Sequence, residues 1–161
     1  MTNAKPIQVL LVDDHTIIRQ SLRSLLDSYP NIQVVGEARD GEEAVSIAGK
    51  LQPTVVVMDV NMTKMDGITA TRLIKAQYQH IAVVGLSVLE KDYQVYAMLK
   101  AGAFEVLKKD SSAVELFGAI QRAVASVQPV VILEETQTQP SQEAPQTDSV
   151  PRKETRLKDQ R

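Results

Sequence analysis

"VVVMDVNMTKMDG" (residues 55–67) sets four apolar residues in a row and ends them on a carboxylate, Asp59. A short Val-rich run of this kind reads as a strand buried on both faces. An ionised side chain at the exit of such a strand is costly unless something pairs with it. The fold and the function both turn on what waits there.

Similar runs lie on either side: "IQVLLV" (7–12), "IQVVGEA" (32–38), "TVVVM" (54–58), "IAVVGL" (81–86) and "AFEVL" (103–107). Longer amphipathic stretches separate them, the pattern of a parallel sheet covered by helices on both faces. Ile18, Leu22, Leu25 and Leu26 stripe the first helix. Ala44, Ile47, Ala48 and Leu51 stripe the second, and Phe117, Ile120 and Val124 the last. "DGEEA" and "DSSAVE" supply polar helix starts with acidic first turns, and Gly102 ends the fourth helix. The expected fold is therefore an α/β sandwich of five βα units ending near Gln128.

Composition narrows the function classes. The 161 residues suffice for one ordinary domain with some chain left over, and the 43% hydrophobic content is that of a folded soluble protein. A net charge of -2 lacks the basic excess of a nucleic-acid binder. With no cysteine, disulfides and thiolate metal sites are excluded, and His15 and His80 lack zinc-site spacing. No window approaches the ~20 apolar residues of a spanning helix, and the opening is too short in apolar residues for a signal peptide, so no membrane association and a cytoplasmic location are expected.

Beyond the fifth unit, "EETQTQPSQEAPQTDSVPRKETRLKDQR" (134–161) is rich in Gln, Thr, Pro and charge. Such a segment buries too little surface to offset its ordering entropy. The expected division is a folded domain over 1–128 and a disordered polar tail over 129–161. The tail holds no pair of amphipathic helices joined by a turn, so direct nucleic-acid binding by this chain is not expected.

In a doubly wound parallel sheet all strands point one way, and residues at their carboxyl ends gather on one rim. Asp13 and Asp14 follow the first strand, Asp59 ends the third, Ser87 follows the fourth, and Lys109, with Lys108 as its rival, follows the fifth. Three carboxylates brought together repel one another, and a hard divalent cation such as Mg²⁺ removes the conflict. A lysine and a hydroxyl facing that cluster suit a phosphoryl group, with Asp59 as the nucleophile that carries it. Taken singly, each residue has an ordinary reading: a turn or helix cap for "DD", a strand-end serine, a solvated lysine, and for His15 the exposed start of a helix. The convergence is what points to chemistry.

The segments "VLLVDDHTIIRQSLRSLL", "VVVMDVNMTKMDGITATRLI", "VVGLSV" and "AGAFEVLKKD" resemble, in order and spacing over residues 5–127, the receiver domain of two-component response regulators. The likeness is strongest to the branch that usually carries a LuxR-type helix-turn-helix output, a region not found in this chain. The resemblance implies a flavodoxin-like (βα)5 fold with strand order 2-1-3-4-5. It implies that Asp59 accepts a phosphoryl group from a sensor histidine kinase or a phosphotransfer protein. Asp14, Asp59 and the Asn61 carbonyl would then bind Mg²⁺, with Asp13 acting through water, while Ser87 and Lys109 hold the phosphate; the alignment selects Lys109 over Lys108. Phosphorylation would draw Ser87 inward and move the region of Val88, Leu89, Tyr93 and Tyr96, switching an unidentified downstream protein or a phosphorylation-linked dimer. The alternative for the two tyrosines is ordinary helix packing.

Three positions depart from the family's pattern: Thr63 stands for a usual Pro, Val106 for a usual Tyr or Phe, and Asp110 for a proline that many members join by a cis bond. Val106 and Thr63 keep open a second reading, a receiver-like module that binds partners irrespective of phosphate. A third is a haloacid-dehalogenase-like phosphatase, because "DVNMT" imitates a D-x-D-x-T loop; Asn61 in place of the acid/base Asp speaks against it.

Overall fold

Neighbouring residues of a strand face opposite ways, and in this chain both faces are apolar. In the computed structural model, which describes residues 4–88 and 92–127, β1 (Ile7–Val12) sends Val9 and Leu11 into one core and Leu10 and Val12 into the other. The same split holds for Val55 and Val57 against Val56 and Met58 in β3 (Val55–Asp59), and for Val84 against Val83 in β4 (Ala82–Ser87). β2 (Ile32–Ala38) and β5 (Glu105–Lys108) close the two edges, and all pairings are parallel in the order β2-β1-β3-β4-β5. The expected flavodoxin-like fold is what is found.

The first core is covered by α1 (Thr16–Asp27) and α5 (Ala113–Val127), through Leu26, Leu116, Ala119, Ile120 and Ala123. The second is covered by α2 (Gly41–Leu51), α3 (Gly67–Gln77) and α4 (Asp92–Ala101), through Ala44, Ala48, Ala70, Ile74 and Met98. Phe117 of α5 stacks on Tyr29 with ring centroids 4.2 Å apart. One stripe residue behaves differently: Leu51, the last residue of α2, is 43% exposed because the helix ends there on Gln52 in the left-handed region, at φ 47°.

Helix starts follow local chemistry. Asp40 accepts from the Glu43 N–H at 2.9 Å and Asp66 from the Thr69 N–H at 2.7 Å, ordinary N-caps. That backbone bond is the main reason the Asp40 carboxyl lies below its usual range. At α5, Ser112 and Glu115 form a reciprocal capping box, with Ser112 N–H donating to Glu115 Oε2 at 2.7 Å and Glu115 N–H donating to Ser112 Oγ at 3.3 Å.

Strand limits shift slightly from the expected ones. Asp59 is the last residue of β3, paired with Leu86, and Ser87 is the last of β4, paired with Lys108. β5 begins two residues later than expected because Ala103 N–H is taken by the Met98 carbonyl at 3.0 Å, closing the turn that Gly102 makes at φ 115°. The expected polar tail, 129–161, lies outside the described residues. No described helix is long and apolar enough to cross a membrane.

Candidate phosphoacceptor and metal site

β1 and β3 lie side by side at the point where the chain reverses its direction of winding, where open α/β sheets form their ligand crevice. Their carboxyl ends carry Asp13, Asp14 and Asp59. Asp13 and Asp59 are each only 1% exposed, and oxygens of the three carboxylates, together with a ring nitrogen of His15, lie within 4.8 Å of one another.

One ammonium enters this cluster. Lys109, brought in just past β5, places Nζ 2.7 Å from Asp13 Oδ2 and 2.9 Å from Asp59 Oδ2. Lys108 is exposed at the end of the strand itself and borders grooves beside α4 and α1, which separates the two rivals. The Lys109 N–H donates to the Ser87 carbonyl at 2.8 Å, so strand pairing sets the lysine beside the end of β4.

Burial of the Asp59 carboxyl dominates its acidity and pushes it up to about 6 from an ordinary 3.8. The Lys109 hydrogen bond acts against this and the Asp13 charge adds to it. For Lys109, burial pulls the ammonium down, and its bonds to Asp13 and Asp59 more than offset that, leaving it raised. Near neutrality Asp59 is thus an ionised, comparatively basic carboxylate facing a cation.

Asn61 lies two residues beyond Asp59 and donates its N–H to Asp59 Oδ1 at 3.2 Å. Gly67 N–H donates to the Val60 carbonyl at 3.0 Å, folding the loop back on the strand end. A Cβ at Gly67 would overlap the Asp59 carbonyl oxygen, so only glycine permits this approach. Thr63, where the family favours Pro, offers an N–H 3.4 Å from Asp14 Oδ2, a donor that proline lacks. The peptide bond before Asp110 is trans, like every other among the described residues.

The donor set fits Mg²⁺. Three carboxylates gather beside one half-buried ammonium that reaches two of them, and all but one of the clustered ligand atoms are hard oxygens. Asp13, Asp14 and Asp59 could each offer such an ion one oxygen, and Asp13 and Asp59 are also held by Lys109.

Two contacts were not anticipated. His15 is 66% exposed at the start of α1, as expected, yet its Nδ1 reaches Asp14 Oδ1 at 2.9 Å and Asp13 Oδ1 at 3.2 Å. Arg19, one turn on, donates to the Asp13 carbonyl at 2.6 Å. Their closeness to "DD" in sequence was the available signal. Packing of Tyr93 and Tyr96 within the helix layer is not what occurs: they are 65% and 62% exposed, and Val88 is 65% exposed. Leu89 lies outside the described residues. Val106 borders a groove of about 650 Å³ between α4 and β5, which also reaches Ser87, Tyr96 and Leu99.

Residues 9–121 match the family described as "Response regulator receiver domain". The chain is 42% identical over 117 residues to the transcriptional regulatory protein LiaR of Bacillus subtilis, an overlap of 73% of this chain and 56% of that protein. It is 35% identical over 119 residues to the transcriptional regulatory protein DegU of Brevibacillus brevis, covering 74% of this chain and 50% of the other. The chain thus spans about half the length of the curated relatives it matches. Among solved structures, the response regulator domain of Thermotoga maritima CheB superposes with a TM-score of 0.71 at 34% identity, over 78% of this chain and 100% of that one. The signal receiver domain of the putative response regulator NarL from Mycobacterium tuberculosis superposes with a TM-score of 0.73 at 28% identity, over 76% and 98%. With its fold, its acidic rim and most of its length matched, the chain belongs to the response regulator receiver domain family.

Proposed function

We propose that this chain is a phosphoacceptor switch in which Asp59 takes a phosphoryl group from the phosphohistidine of a sensor kinase or phosphotransfer protein. The observation that carries the reading is the buried Asp59 carboxylate, 2.9 Å from the Lys109 ammonium at the rim of the sheet. Family membership supports the choice of donor, since receivers of this family work with histidine kinases. The receiver extends over residues 1–128.

In the transfer an Asp59 carboxylate oxygen attacks phosphorus. The O–P bond forms as the N–P bond of the donor breaks, and the imidazole leaves with the electron pair. Asp14, Asp59 and the Asn61 carbonyl, with Asp13 acting through water, would hold Mg²⁺, which would supply charge neutralisation at the phosphoryl oxygens. Lys109, released from its contact with the free Asp59 carboxylate, pairs with a phosphoryl oxygen and keeps Asp13 as its second partner. The Ser87 hydroxyl donates to another phosphoryl oxygen. The Asn61 N–H holds Asp59 Oδ1 so that the carboxylate has one orientation.

No external substrate is turned over: the product is the acyl phosphate itself, whose added charge biases the neighbouring region past β4 toward a second arrangement and so switches a downstream protein contact or a dimer. The setting is cytoplasmic, and the chain itself makes no direct nucleic-acid contact. Labelling with acetyl phosphate, followed by borohydride trapping and peptide mapping, tests the assignment. Homoserine at position 59 is the expected product; trapping at any other carboxylate overturns it.

A further inference from the structure

Gln94, in the first turn of α4, and Asn61, in the loop after β3, are 33 positions apart and face each other amide to amide. Gln94 Nε2 donates to Asn61 Oδ1 at 2.8 Å, and Asn61 Nδ2 lies 3.5 Å from Gln94 Oε1. The pair closes a ring through the site. From Asn61 the chain leads back two residues to Asp59, and from Gln94 back seven to Ser87, the ends of adjacent strands β3 and β4. Asn61 also donates its backbone N–H to Asp59 Oδ1, so whatever holds its side chain also holds the acceptor's orientation.

α4 has few other anchors on the sheet: only Met98 and Ala101 of its ten residues are buried, both in its second half. No residue of its first turn is buried, and Gln94 reaches the rim from there through the amide pair.

We propose that Gln94 is a positioning residue for the phosphoacceptor site, which its amide bond to Asn61 couples to the first turn of α4. This rests on the phosphoacceptor reading above. A loop already held by Gln94 loses less freedom when the Asn61 carbonyl becomes a cation ligand, so cation affinity is higher with the pair than without it. Linkage makes the effect reciprocal: a cation at the rim stabilises the pair and with it the start of α4.

The test uses the full chain with Gln94→Met, which keeps side-chain length and removes the amide, and with Gln94→Ala as a second variant. In metal-free protein, nitrogen-15 NMR should show the Gln94 side-chain amide protons, donors of the shorter bond, exchanging with solvent more slowly in the wild type than in Asn61→Ala. Calorimetric titration with Mg²⁺ should give affinities about 3- to 10-fold weaker in the variants, the range expected for one neutral hydrogen bond. In an Asn61→Ala background, which keeps the backbone carbonyl, Gln94→Met should change nothing further. Equal Mg²⁺ affinity in wild type and variants, or equal losses with and without Asn61, overturns the coupling alone. A wild type that takes up no Mg²⁺ overturns the reading of the site and the coupling together.

Discussion

Lys109 Nζ sits 2.9 Å from Asp59 Oδ2 while also holding Asp13 Oδ2 at 2.7 Å, so one ammonium is shared between two buried carboxylates. That sharing makes the site tolerable when empty of phosphate and leaves a cation in place when phosphate arrives.

Replacing Lys109 with Met leaves two buried anions facing each other without a counter-charge. Loss of one partner from a buried pair costs about 3–5 kcal/mol. We predict an unfolding free energy lower by roughly that amount at neutral pH, seen as a lower urea midpoint, together with Asp59 acidity weakened beyond its present value of about 6. A midpoint unchanged from wild type would show that the contact carries no energy.

The raised Asp59 acidity predicts a pH signature in chelator-treated protein. The folded state binds this proton more tightly than the unfolded chain, about 6 against 3.8, so this group's contribution to stability is greatest below the lower value and is lost as pH rises to the upper one. Asp59→Asn cannot ionise. Its stability relative to wild type should climb between those two values and level off at neutrality, about 1–3 kcal/mol above wild type. Thermal melts of both proteins across that window check the sign; a difference that shrinks as pH rises contradicts it.

Gly67→Ala should be among the most damaging single-methyl changes in the chain. Its Cβ would meet the Asp59 carbonyl oxygen and carbon and the Val60 Cα, all backbone, so no side chain can yield to make room. A stability loss of about 2 kcal/mol or more is expected, with phosphoryl labelling impaired because the Asp59 strand end must shift. Denaturant titration and labelling on the same sample read both effects.

If the acidic rim binds Mg²⁺, the ion stabilises the fold by mass action, about 2.7 kcal/mol at a hundredfold excess over its dissociation constant. The melting temperature should rise with added Mg²⁺ in wild type, and the rise should shrink in Asp14→Asn. Equal shifts in the two proteins would remove Asp14 from the ligand set.

The strands were legible because their apolar runs are short, rich in Val and bounded by polar residues. β1 and β2 fall at their expected limits, whereas β5 starts late because the Met98 carbonyl captures Ala103 N–H, a tertiary bond without a local signature. Asp13, Asp14 and Asp59 converge as a parallel sheet requires. Residue type alone left Lys108 and Lys109 as rivals, since both are lysines at the end of one strand; the turn after β5 decides between them. The Asn61–Gln94 pair was invisible for a different reason. It joins two loop-proximal amides 33 positions apart, which no periodicity predicts.

The most direct test of the central claim is intact mass of wild type and Asp59→Asn after incubation with acetyl phosphate and Mg²⁺, repeated with chelator. The expected result is a single phosphoryl adduct on the wild type, absent with chelator and absent from Asp59→Asn. An Asp59→Asn protein labelled as fully as wild type, or a wild type that no donor labels, the cognate kinase included, would contradict the assignment of Asp59 as the phosphoacceptor.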